Sequence, residues 1–173
     1  MSTAAVEEAL KGEIRAFLRS HHVVSLSVLH GGTAHAACVM YAPEDLVLYW
    51  TSDPGTRHSA AIERDARVAA TVAPDYEDFR LIRGLQIAGR AHRLGDAGEA
   101  AHAGELLRRR FRFLRELQSA PVSLRVALDQ AAYYRLDPDT ITLIDNTRGF
   151  GNKRTLRISR NITDRLPALP RHS

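Results

Sequence analysis

The feature that most constrains this chain is a series of short alternating apolar and polar runs, each closed by a strong turn signal. Val24, Leu26 and Val28 alternate with Ser25, Ser27 and Leu29 as far as His30-Gly31-Gly32, and an extended run resumes from Thr33 to Tyr41. A period of two interrupted by a Gly-Gly turn predicts a hairpin. Ala42-Pro43-Glu44-Asp45 reads as a second turn, and the run Leu46-Val47-Leu48-Tyr49-Trp50-Thr51 as a third strand paired to the second. Further strands are expected over 66–73 and 79–94, the latter bulged or bent at Gly84 and Gly89, with an acidic loop at 74–78 between them. Residues 131–136 and 140–146, joined by Asp137-Pro138-Asp139, read as a closing hairpin. Sequential strands with tight connections and few helices predict an antiparallel barrel rather than βαβ units.

Helical spacing appears in three places. Val6, Leu10, Ile14, Phe17 and Leu18 mark one face of an opening helix, with Ser2 or Thr3 as its cap. Residues 58–64 form a short helix that Thr56 can cap, directly after the breaker Ser52-Asp53-Pro54-Gly55. Residues 96–118 read as one helix that ends at Ser119-Ala120-Pro121, with Phe111 and Leu114 on its buried face. Thr147 to Lys153 is a Gly-rich irregular turn, and the prolines and missing periodicity from Ser159 onward predict a mobile tail. The expected organisation is one domain over 1–158 and a tail over 159–173.

With 173 residues, 45% of them apolar and 25% charged, the chain has enough apolar material for one ordinary core. No stretch is apolar for long enough to cross a membrane as a helix, and Glu7 and Glu8 stand where a leader would carry cations, so a cytoplasmic protein without membrane partners is expected. One cysteine, Cys38, agrees with a reducing compartment and, in an apolar strand, with an inert buried thiol. The net charge of +4 comes from 22 arginines and two lysines, Lys11 and Lys153. Arginine suits bidentate contacts to phosphate, but a basic balance alone does not imply nucleic acid.

Strand, tight turn and helix start follow one another at Thr51-Ser52-Asp53-Pro54-Gly55-Thr56-Arg57-His58. A helix N-terminus exposes unpaired N–H groups at the positive end of its dipole, and the hydroxyls of Thr51, Ser52 and Thr56 with Arg57 and His58 could complete a phosphate site. A capped surface helix with a solvated arginine explains the same residues. The histidines His21, His22, His30, His35 and His92 show no helical pairing or cysteine partner, which argues against a metal site. Gly149-Phe150-Gly151-Asn152-Lys153 lacks the full phosphate-loop pattern, and no nucleophile elbow is present, so no catalytic residue is assigned. Arg108 to Arg115 with Phe111 and Phe113 could contact single-stranded nucleic acid, although a buried apolar face flanked by solvated arginines accounts for the run more simply.

Taken in order, His22-Val23-Val24, Thr51 with Thr56-Arg57-His58, Leu81-Ile82-Arg83-Gly84-Leu85-Gln86-Ile87-Ala88-Gly89, Arg110-Phe111, Ser119-Ala120-Pro121-Val122 and Asp145-Asn146-Thr147-Arg148-Gly149-Phe150-Gly151-Asn152-Lys153 carry a family resemblance over residues 22–153. The chain resembles the pyridoxamine-5′-phosphate-oxidase-like FMN-binding split barrels, in particular the small bacterial YhbP-like branch. The resemblance implies a mainly β fold: a six- to seven-stranded antiparallel Greek-key split β-barrel with an N-terminal helix and a helix between strands five and six. It also implies a homodimer with FMN at the subunit interface. Thr51, Thr56, Arg57 and His58 would take the flavin phosphate, with the Ser52 hydroxyl beside them as a further cofactor-binding candidate, and the backbone of Ala36, Ala37, Cys38 and Val39 would lie along the ring.

His58 stands where the oxidases carry lysine, which implies a weaker phosphate grip unless a bound phosphate holds the ring protonated. The oxidases' strand-five glutamine falls on Gly84, with Gln86 two residues on, and Lys153 is a second candidate for the flavin edge. Trp50 is the sole tryptophan, and Arg165-Leu166-Pro167 does not reproduce the oxidases' C-terminal substrate motif, so pyridoxamine phosphate oxidation is not expected. The function implied is an FMN-dependent oxidoreductase, either a flavin reductase or a reductase of a small molecule with NAD(P)H as donor. The alternatives are a non-catalytic barrel that stores or senses flavin or haem, a deazaflavin enzyme, and a basic nucleic-acid-binding barrel.

Overall fold

The computed structural model describes residues 2–116 and 121–158. The expected tail over 159–173, with Arg165-Leu166-Pro167, and the expected helix end at Ser119-Ala120 lie outside them. Helix α1 (Thr3–Ser20) is capped by Ser2 and buries Leu10, Ile14, Phe17 and Leu18, whereas Val6 stays exposed. Strands β1 (Val23–His30) and β2 (Thr33–Met40) form the expected hairpin. Its two-residue turn places Gly31 at φ 58° and Gly32 at φ 80°, the doubly left-handed geometry that glycine adopts without steric cost.

Beyond Tyr41 the chain continues as β3 (Ala42–Glu44), not as a turn, and reverses at Asp45 into β4 (Val47–Ser52). Helix α2 (Arg57–Arg64), β5 (Arg67–Val72), β6 (Arg83–Arg93) and α3 (Ala97–Arg110) follow. Then come α4 (Arg112–Arg115), α5 (Val122–Asp129), β7 (Ala132–Asp145) and β8 (Lys153–Arg157). The sheet runs β2-β1-β5-β6-β7-β4-β3, all antiparallel, with β8 added beside β7.

Strand order corrects one expectation with functional weight. The third expected strand, β4, pairs with β3 and β7 and not with β2. Since β2 and β3 sit at opposite ends of the sheet path yet are separated only by Tyr41, the sheet must curl until its two edges meet. Tyr41 is fully buried at this corner, its hydroxyl donating to the Leu18 carbonyl at 2.9 Å. Continuity of the chain closes the barrel here while β2 and β4 remain without a ladder, and this opening is the split.

A second correction concerns the closing hairpin, which is one strand of 14 residues. Asp137-Pro138-Asp139 carries turn chemistry, but the register jumps there from Thr140 opposite Ala88 to Pro138 opposite Gly89, leaving one residue bulged out. The bulge takes a residue without an N–H, and Gly89 admits the close approach: a Cβ there would stand 2.3 Å from the Asp137 carbonyl oxygen. Gly84, in contrast, sits in regular pairing. The merged hairpin, with β3 and β8 added, makes eight strands in place of six or seven.

The long expected helix also breaks. Phe111 leaves α3 in extended geometry (φ −113°, ψ 112°) and turns its ring into a cluster with Ala42, Leu107 and Leu114. Helix α5 lay outside the expectations; only its Leu128 packs against this cluster. The main core holds Trp50 stacked on Tyr134, Leu26, Leu48, Leu85 and Ile141, closed on one side by α1 and α2.

Candidate functional site

A cavity of about 310 Å³ opens at the split between β2 and β4. Cys38, Val39 and Met40 line it from β2, Thr51 and Ser52 from the end of β4, and His58 from the start of α2. The remaining wall is apolar: Leu107 of α3, Phe111, Phe113 and Leu114 at and after its break, and Leu128 of α5. Because β2 pairs only with β1, alternate residues along its other edge present unpaired N–H and C=O groups towards this opening.

Local chemistry fixes the turn between β4 and α2. Asp53 accepts from the Gly55 N–H at 2.7 Å, and Thr56 caps α2 by accepting from the Ser59 N–H at 3.4 Å. The Thr56 hydroxyl lies 2.9 Å from both the Asp53 carbonyl and the Ser59 hydroxyl. His58, 8% exposed, brings Nε2 to 2.8 Å from the Ser52 hydroxyl and 3.3 Å from that of Thr56. Burial pushes the imidazole pKa down, and His35 pushes it further the same way, so the ring is held neutral near pH 7. Arg57, the first residue of α2, is exposed and makes no ion pair among the described residues.

The structure thus brings together most of the residues singled out from the sequence. Thr51, Ser52, His58, Cys38 and Val39 share the cavity; Thr56 holds His58 from behind, Arg57 stands on the same helix turn, and Ala36 and Ala37 precede Cys38 on the free-edged strand. Cys38 differs from its expectation. It is exposed rather than buried, with its sulfur 3.3 Å from the Ser25 hydroxyl, because none of the described residues covers that face of β2.

Gln86 and Lys153 are not brought to the cavity of their own chain. Cross-strand pairing sets Cys38, Ser25, Thr71, Gln86, Thr142 and Thr155 in one transverse row. Gln86 is three strands from Cys38, roughly 14 Å at the usual spacing, and Lys153 on β8 is farther still. The lining residues Met40, Leu107 and Leu128 were not singled out from the sequence, and Phe113 was singled out only as a possible contact to nucleic acid. Phe111 and Leu114 carried a signal, their spacing of three, which marked a buried face without saying that a cavity lay beneath it.

Comparisons with known proteins agree with this architecture. The family model described as Pyridoxamine 5′-phosphate oxidase matches residues 10–134. The UPF0306 protein YhbP of Escherichia coli O157:H7 is 33% identical over 142 residues, 81% of this chain and 88% of that protein. Among solved structures, a heme binding protein from Mycobacterium smegmatis superposes with a TM-score of 0.65 at 18% identity, over 85% of this chain and 57% of that one. An FAD-binding protein from Mesorhizobium loti gives a TM-score of 0.59 at 18% identity, over 75% of this chain and 89% of that one. An eight-stranded split barrel with its cavity at the unpaired β2–β4 edge, a family match over most of the chain and YhbP relatives along nearly their whole length lead to one conclusion: this chain belongs to the pyridoxamine 5′-phosphate oxidase family, in its UPF0306 (YhbP) branch.

Proposed function

We propose that the protein is an FMN-binding flavoprotein acting as an oxidoreductase, a flavin reductase or an NAD(P)H-dependent reductase of a small molecule, and not a pyridoxamine phosphate oxidase. One observation carries the reading: a cation with no ion-pair partner among the described residues, Arg57, stands at the capped N-terminus of α2 beside a cavity bordered by the free edge of β2. The hydroxyls of Thr51, Ser52 and Thr56, the first N–H groups of α2 and the Arg57 guanidinium suit a phosphate. The backbone of 36–39 suits the polar edge of a flat ring system, and the apolar wall excludes water from its face. Bound there, the flavin would supply the electron-transfer chemistry. Family membership and the FAD-binding neighbour favour a flavin; the haem-binding neighbour makes haem the second reading.

The reading includes a homodimer. The outward face of the sheet carries two transverse rows, Ala36-Ser27-Ala69-Ala88 and Cys38-Ser25-Thr71-Gln86, whose members have no formal charge and are exposed or half-buried. Two adjacent uncharged rows, bordered on the same face by Arg67 and Arg90, suit a second copy of the chain. Two-fold pairing would also offer a route for the partner's outer face to complete the flavin site, which Gln86 and Lys153 do not reach within one chain.

The visible spectrum of freshly purified protein tests the assignment. Flavin absorption that NADH or NADPH bleaches supports it. A Soret band selects the haem reading, a deazaflavin spectrum selects that cofactor, and protein that takes up no added FMN refutes the flavin assignment.

A further inference from the structure

We propose that the helical wall of this cavity binds an uncharged, apolar aromatic substrate, held against Phe111, Phe113 and Leu114; the proposal rests on the flavin reading of the same cavity. The polar lining is confined to the strand side and the start of α2, where Thr51, Ser52 and His58 gather. That is a place for one phosphate, the flavin's own. The opposite wall comes from the most arginine-rich stretch of the chain, yet the arginines with partners there all turn elsewhere. Arg108 and Arg109 pair with Glu105 at 3.2 and 2.7 Å, and Arg112 with Glu116 at 2.7 Å. Arg110 donates to the carbonyls of Leu18 at 3.3 Å, Arg19 at 3.1 Å and His21.

What this stretch gives to the cavity is carbon. The rings of Phe111 and Phe113 lie 6.0 Å apart, tilted by 43°, and Phe113 keeps 44% of its surface uncovered at the cavity wall. The described residues of the helical wall, Leu107, Phe111, Phe113, Leu114 and Leu128, carry no ionisable group. A carboxylate or second phosphate placed against this wall would lose its hydration and find no cationic side chain among the described lining residues. An aromatic ring would gain edge or offset contacts with two phenylalanines and exclude water from the flavin face. The break at Phe111 makes the wall possible, because it turns α4 so that Phe113 and Leu114 join Leu107 at the cavity.

The test compares 2-naphthol with the anion 2-naphthoate by calorimetry on the FMN-loaded protein without reductant. The expected result is naphthol binding about tenfold tighter than naphthoate, and a loss of about tenfold in naphthol affinity in Phe113→Asp that Phe113→Leu does not show. FMN binding is followed separately by flavin fluorescence, and each variant is titrated at saturating FMN, so that a change in flavin affinity does not enter the comparison. Equal affinity for the two probes, or naphthol binding indifferent to Phe113→Asp, in protein that holds FMN overturns the substrate proposal and leaves the flavin reading standing. Wild-type protein that retains no FMN overturns the flavin reading and this proposal with it.

Discussion

The hydroxyl of Ser52, the last residue of β4, lies 2.8 Å from Nε2 of His58, the second residue of α2. The contact spans the turn proposed to hold the flavin phosphate and locks the end of a strand to the start of a helix, so hydroxyl and imidazole reach the cavity already oriented. Nε2 is also 3.3 Å from the Thr56 hydroxyl, and the ring is nearly buried.

The pH dependence of stability follows. Burial first, and His35 second, lower the folded-state pKa of His58 below its ordinary 6.5. The unfolded chain therefore binds the proton more readily, and the stability linked to this ring is complete above about pH 6.5 and lost as pH falls through the depressed folded value. Thermal denaturation of the cofactor-free protein should show a melting temperature that declines below pH 6.5, with a shallower decline in His58→Gln. A phosphate dianion acts in the opposite direction, so FMN binding near pH 7 should take up protons in calorimetry run in buffers of different ionisation enthalpy.

Arg57→Ala should weaken FMN binding by about 10- to 100-fold, the loss expected for a charge-assisted contact to phosphate. Arg57 is exposed and unpaired among the described residues, so the melting temperature of the cofactor-free variant should match the parent. Fluorescence titration with FMN and, as a control, riboflavin separates the phosphate contribution: riboflavin affinity should not change.

Gly89→Ala should destabilise the fold by about 2–3 kcal/mol through overpacking. The added methyl would meet the Asp137 carbonyl oxygen at 2.3 Å and Pro138 Cα at 2.8 Å, both backbone atoms that cannot swing aside. Gly84→Ala, whose nearest atoms stand at 3.3 Å, should cost far less. Urea denaturation of the two variants provides the comparison.

Arg110 ties the end of α3 to the end of α1 by donating to the carbonyls of Leu18, Arg19 and His21 while lying over the rings of Tyr41 and Phe111. Arg110→Ala leaves those helix-end carbonyls without this donor and should cost about 2 kcal/mol or more. Arg110→Lys should recover only part, since an ammonium cannot reproduce the flat guanidinium fork. Chemical denaturation measures both.

Ala69→Arg places a long cation within the two uncharged rows of the outer face, opposite Ser27 and Ala88. In sedimentation velocity the parent should run as a dimer and the variant as a monomer, with FMN affinity falling in parallel. A parent that runs as a monomer while binding FMN tightly refutes the proposed interface.

Features set by neighbouring residues were legible in the sequence. The Gly31-Gly32 hairpin, the Thr56 cap and the helix beginning beside Arg57 each follow from the chemistry of a few adjacent side chains, and each stands in the structure. Features that depend on which distant segment lies opposite were not. Asp137-Pro138-Asp139 has every local mark of a turn, and it becomes a bulge within one strand only because Gly89 faces it. Phe111 sits in a run that reads as continuous helix, and it leaves the helix because Ala42, Leu107 and Leu114 enclose its ring. Cys38 sits in an apolar strand that reads as buried, yet no described residue covers its face of the sheet.

The sequence by itself determined the antiparallel class, the capped turn between β4 and α2 and the residues that border it, because alternation, caps and tight turns are local consequences of side-chain shape and backbone freedom. Only the tertiary structure decided that β4 turns from β2 to β7, that a cavity therefore opens between them, and that an arginine-rich helix end lines it with phenylalanine and leucine. The physical reason is that strand pairing and burial belong to pairs of segments far apart in the chain. A run of alternating residues fixes which side chains face inward, but not which neighbour completes its hydrogen bonds or which edge stays open to a ligand.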